Sequence, residues 1–192
     1  PVIVNYHAQG CSTEDLFAQA VKDARMPLDY LQILHDYERE IRHAKQEMDA
    51  DFTEGLMNTL AEQSDTLRKR RPADALAAAL AIDIAIKHGI AAPTRPHPTA
   101  AEILAADPDP AKSIMALDES SLWPMALHAL DAHPQAGDHF EKLFRIAPTD
   151  YLDRIAHRLR KLQRSDAIEK AVIAAMASPT KYLQICFWLW KG

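Results

Sequence analysis

From Ser12 onward the apolar residues recur at steps of three and four, and almost every break between periodic stretches carries a proline, a glycine or a capping residue. That pattern predicts helix along the whole chain. Ser12, with Asp15 three residues on, opens a first helix whose stripe is Leu16, Phe17, Ala20, Val21 and Ala24, closed at Met26-Pro27. A second, strongly charged helix starts near Pro27 and carries Leu28, Leu31, Leu34, Ile41 and Met48 over about six turns. Thr53 is placed to cap a third, with Leu56, Leu60 and Leu67 on one side and Arg68-Lys69-Arg70-Arg71 at its end. A fourth, rich in alanine, runs from about Ala73 to His88 and stops at Gly89.

The second half is punctuated more finely. Thr99 and Glu102 have capping-box spacing, Pro110 and Pro134 suit first helical turns, and Thr149 and Ser165 are each placed to cap a helix of their own. The last helix, from Pro179, carries Leu183, Cys186, Phe187 and Trp190. The expected fold is all-α: a multi-helical bundle or an irregular stack of helical hairpins, with about ten helices and no β-sheet. Pro93, Pro96 and Pro98 mark the best boundary, giving an N-terminal lobe over 1–92, a linker at 93–98 and a C-terminal lobe over 99–192, with one continuous domain as the alternative. A helix-opening pattern recurs at Pro27-Leu28-Asp29-Tyr30-Leu31, Pro148-Thr149-Asp150-Tyr151-Leu152 and Pro179-Thr180-Lys181-Tyr182-Leu183. The last two copies stand at a separation typical of helical repeats.

Composition narrows the function classes. The chain has 192 residues, 48% of them hydrophobic, which is enough to form a core without disulfides or metal. The five glycines are widely separated, so no glycine-rich loop can present backbone amides to a phosphate. No apolar run approaches the roughly 20 residues of a membrane span. Two cysteines, Cys11 and Cys186, argue against a disulfide framework, and the opening residues lack the pattern of a secretory signal. A cytoplasmic, bacterial protein is the resulting expectation.

Few residues carry chemistry at a telling spacing. Glu40 and His43 stand at i and i+3, as in the carboxylate-histidine pairs of di-metal bundles, but no second pair accompanies them. His128, His133 and His139, interleaved with Asp131 and Asp138, are the densest histidine group, and Pro134 interrupts it. No catalytic residue, metal site or cofactor is therefore assigned. An enzyme with its site at helix junctions, metal-dependent or metal-free, remains the alternative.

Charge is more informative. Basic residues gather at Arg68, Arg70 and Arg71 and again from Arg154 to Arg164, whereas Asp29 to Asp65 holds ten acidic and three basic residues in a chain of net charge −5. That balance disfavours nucleic acid and favours a protein partner recognised by opposed patches. Asp36, Arg39, Glu40, His43 and Glu47 share one face of the second helix and form the candidate surface, against the alternative of a merely solvated face. Near the end, Tyr182, Phe187, Trp188 and Trp190 wrap more than one side of the last helix. Either that helix is buried nearly all round, or it offers an aromatic anchor to another chain.

Two short stretches resemble known families. Arg71-Pro72-Ala73-Asp74-Ala75-Leu76 through Lys87-His88-Gly89 resembles the second helix of a tetratricopeptide-type unit, although the aromatic and glycine positions of a first helix are missing from Thr53 to Arg71. Continued to Pro93, the same stretch is similar to a segment of small terminase subunits of tailed phages, which implies DNA packaging; the upstream tryptophan and a basic arm are absent. The function expected is non-enzymatic: an adaptor, chaperone, immunity or regulatory protein that works by binding another protein.

Overall fold

The computed structural model describes residues 13–25, 27–44, 49–117, 120–177 and 179–191. Among them are eleven α-helices and no strand: α1 (Thr13–Asp23), α2 (Pro27–Ala44), α3 (Ala50–Leu67), α4 (Pro72–Lys87), α5 (Ala100–Ala106), α6 (Pro110–Met115), α7 (Trp123–Leu130), α8 (Ala136–Ile146), α9 (Thr149–Lys161), α10 (Ser165–Ala175) and α11 (Pro179–Lys191). The all-helical, multi-helix expectation holds. None of the described helices is long and apolar enough to cross a membrane. Ser12, Met26 and Met48 lie outside the described residues.

Local chemistry sets most helix starts. Thr99 and Glu102 form the capping box of α5, and Asp109 caps α6 with Pro110 in its first turn. Four starts differ from expectation. Helix α3 begins at Ala50, because the Asp49 carboxylate accepts from the backbone N–H of Asp51 and of Phe52; the Thr53 hydroxyl instead donates to the carbonyls of Asp49 and Ala50. Thr149 and Ser165 are the first residues of their helices, one position past the cap, and neither α9 nor α10 has a side-chain cap hydrogen bond. Helix α8 starts two residues after Pro134.

Helix α4 is apolar and buried on every side from Ala75 to Ile82, the mark of a segment with packing partners all round, while Asp83, Ile86 and Lys87 at its end are exposed. Leu76, Ala79 and Leu80 enter a large cluster with Ile103, Ile114, Leu127 and Phe140, while Ala78, Ala81, Ile82 and Ala85 enter a second with Leu34, Leu56, Met57 and Leu60. Helices α2 and α3 lie against one side of α4, and α5, α6 and α7 against another. A third, small cluster joins Phe17, Tyr37 and Ile41. The proline-bearing stretch at 93–98 is held to α3: the Asn58 side-chain oxygen accepts from the backbone N–H of Thr94 and of Arg95, and Arg95 pairs with Glu62 at 2.8 Å.

The last four helices build up in order. Helix α9 packs on α8, α10 on both, and α11 on α9 and α10. Trp123 stacks on Tyr151 with ring centroids 4.4 Å apart, fixing α7 to the first turn of α9. The three copies of the helix-opening pattern stand at the starts of α2, α9 and α11.

Candidate functional site

The sequence of α11 is apolar nearly all round, so packing rather than pattern decides which side faces inward. Ile185 is the inward residue, 1% exposed within the large cluster. At about 100° per residue, positions 183 and 187 fall on the side opposite 185, and 190 falls beside them. Leu183 is 67% exposed, Phe187 48% and Trp190 82%. The Phe187 and Trp190 rings stand 6.1 Å apart at 40°. Together with Thr149 at the start of α9, and with Gln184 and Cys186, they line an open groove of about 590 Å³. Ile173 and Met176, at the end of α10, are exposed as well.

This surface differs from ordinary scattered exposure. Burying a large apolar side chain contributes about 1.5–3 kcal/mol, and here Leu183 and Trp190 are mostly exposed along one helix face, with Phe187 half-exposed between them. The last helix is therefore not buried all round: Leu183, Phe187 and Trp190 are exposed on one side of it. The Trp188 side chain lies outside the described set. Leu183 and Thr149 carry no mark of exposure in the sequence. The four-three step linking 183, 187 and 190 is the sequence signal of a shared side, which here is the exposed one.

The charged face of α2 has a different character. Gln32, His35, Asp36, Glu38, Arg39, Arg42 and His43 line an open depression of about 340 Å³ along one helix. Its charges are tied to one another: Arg39 pairs with Asp36 at 3.0 Å, Arg42 with Glu38, and Gln32 donates to Asp36 at 3.0 Å. Glu40 is half-buried and 3.8 Å from Arg39, and it does not line that depression. Glu47 lies outside the described residues.

The basic stretches are partly answered by acids. Arg68 pairs with Asp65 at 3.3 Å and Arg71 with Asp74, while Arg70 is exposed beside them. Arg158 reaches Asp131 at 3.0 Å and lies over the Phe140 ring; Arg164 reaches Asp138 at 2.7 Å and Glu141 at 2.8 Å. These partners stand more than twenty residues away in sequence, so spacing alone did not reveal them.

Among the histidines, His128 is exposed beside Asp131, and the His133 and His139 rings meet edge to face at 4.5 Å. The His133 Nδ1 accepts from the backbone N–H of Gln135 at 3.0 Å. Partial burial, then the neighbouring His133, hold the His139 imidazole below its ordinary range; Lys142 acts the same way, and Asp109 and Asp138 oppose it. Among the described residues, no group of three or more His, Cys, Asp or Glu is placed to hold a metal ion. Cys11, Asp118 and Glu119 lie outside the described residues. No family model, curated protein or solved structure matches the chain.

Proposed function

We propose that this protein works by binding another protein chain, and that the outer face of α11 is where it does so. The observation that carries this reading is the run of Leu183, Phe187 and Trp190 opposite the inward Ile185, beside a groove edged by Thr149. Interface centres are built from such aromatic anchors, which lose little conformational freedom for the area they cover. The occupant that fits is an apolar helix face, because residues spaced three and four apart on one helix are complementary to the same spacing on another. The charged face of α2, laced by its own ion pairs, adds orientation rather than affinity. The roles of adaptor, chaperone, immunity or regulatory protein share this requirement.

A photo-cross-linking amino acid in place of Gln184, on the groove wall, tests the reading in cells. The expected result is one dominant cross-linked protein, identified by mass spectrometry, that disappears when Trp190→Asp is added and is not obtained from the same probe at Arg154. Cross-links that are diffuse, or that survive Trp190→Asp, contradict it.

A further inference from the structure

We infer that the turn leading into α8 is a proton-operated latch, closed while His133 and His139 are both neutral and opened by protonation of the pair. Helix α8 starts without a side-chain cap from Gln135, the residue in the capping position. His133 closes that start instead. Its Nδ1 accepts from the backbone N–H of Gln135 at 3.0 Å, and its carbonyl accepts from the backbone N–H of Ala136 at 3.0 Å. A backbone N–H only donates, so the first of these bonds exists only while Nδ1 carries no proton. A protonated ring turns an N–H towards the N–H of Gln135, and an attraction becomes a repulsion.

The second imidazole makes the same demand. The His139 ring meets that of His133 edge to face with centroids 4.5 Å apart, and both residues are half-buried. Two imidazolium ions at that separation, in the turn and first residues of a helix whose N-terminal end is itself positive, oppose one another. Carboxylates could offset those charges, but the ones around the pair are already engaged. Asp109, which caps α6, is held by Lys142 at 2.7 Å. Asp138 and Glu141 are held by Arg164, just before α10, at 2.7 and 2.8 Å. Asp131, at the end of α7, is held by Arg158 of α9 at 3.0 Å and has His128 beside it. The balance of these groups, with partial burial foremost, disfavours a proton on His139 in the folded chain.

The latch governs more than its own turn. The Arg164 guanidinium lies across Gly137, where a Cβ would stand 2.8 Å from its Nε. From there it grips Asp138 and Glu141 and ties the start of α10 to the start of α8. Opening the turn takes Asp138 out of that grip. Mild acid therefore loosens α10 against α8 without unfolding the chain.

Hydrogen exchange of the 192-residue chain at about pH 7.5 and about pH 5.5, corrected for the intrinsic pH dependence of amide exchange, tests the latch. Protection over residues 135–139 should fall by about tenfold or more between the two, because each histidine that takes up its proton only in the open form contributes up to about tenfold per pH unit. Sub-denaturing urea should leave this exchange unchanged while it speeds exchange in α3, which separates a local opening from global unfolding. His133→Asn retains a side-chain acceptor for the Gln135 N–H without a titrating group, and His139→Gln removes the second proton. Each should show a smaller fall, and H133N/H139Q none, with circular dichroism at about pH 7.5 matching the unaltered chain. The inference is overturned by protection that is equal at both pH values, that responds to urea as α3 does, that falls as far in either single variant as in the unaltered chain, or that still falls in H133N/H139Q. The pH response of the unaltered chain is a test that needs no substitution.

Discussion

The backbone N–H of Asp49 donates to the hydroxyl of Tyr37 at 3.1 Å, joining the middle of α2 to the residue that caps α3. The Tyr37 ring is fully buried, 4.5 Å from the Phe52 ring and 5.2 Å from that of Phe17. One side chain thus fills the small cluster and satisfies the N–H of the residue that positions the next helix.

Tyr37→Phe keeps the ring and removes the acceptor, and should lower unfolding free energy by about 1 kcal/mol. Tyr37→Ala also empties the cluster and should cost about 3–5 kcal/mol. Urea unfolding of the two variants checks the difference. No loss in Tyr37→Phe would mean that the hydroxyl contributes nothing, and equal losses would mean that the ring adds nothing to it.

A second prediction concerns the end of α9. Gln163 has φ +59°, with its N–H bonded to the Arg160 carbonyl and the next N–H, that of Arg164, to the carbonyl of Leu159. The same closure ends α4, where Gly89 has φ +68° and Ile90 bonds back to Ala85. Glycine takes this left-handed position without strain, and glutamine does not. Gln163→Gly should therefore stabilise the protein by about 0.5–1 kcal/mol, whereas Gly89→Ala should destabilise it by about 1 kcal/mol. Thermal denaturation of both variants reads the two opposite signs.

The third prediction is a pH dependence. His139 sits below its ordinary value of 6.5 in the folded protein, through partial burial and then its His133 neighbour. The unfolded chain therefore takes up this proton first as pH falls. Stability is full above about pH 6.5, declines as pH drops from there towards the folded value, and flattens below it. Asp109 is held low by its hydrogen bond from Lys142, and the stability it contributes is lost only below its ordinary 3.8, outside this window. Urea unfolding at about pH 7.5 and about pH 5.5 should show a drop that His139→Gln makes smaller.

Particular residues show why some of the fold and the site was legible in the sequence and some was not. The Thr99–Glu102 box, Pro110 and Gly89 act through bonds to their own neighbours, so their spacing alone announces them. Thr53 was a misleading cap because Asp49, four residues earlier, is also a good capping residue and holds the place. Gln163 gives no sign of its left-handed backbone, since the turn rather than the side chain imposes it. The basic residues Arg158 and Arg164 find their acids through tertiary packing. Helix α11 is the clearest case. Apolar residues on all its sides give no phase to the pattern, and only the docking of Ile185 against the other helices reveals which residues remain outside.

The central claim is that this outside face is used. Hydroxyl-radical footprinting of Leu183 and Trp190, comparing the protein at its native concentration in its own cell extract with the purified chain diluted to nanomolar, tests it most directly. The account predicts strong protection of both residues in the extract, lost on dilution, with Ile173 as an exposed reference on α10. Equal oxidation of Leu183 and Trp190 in the two samples would contradict it.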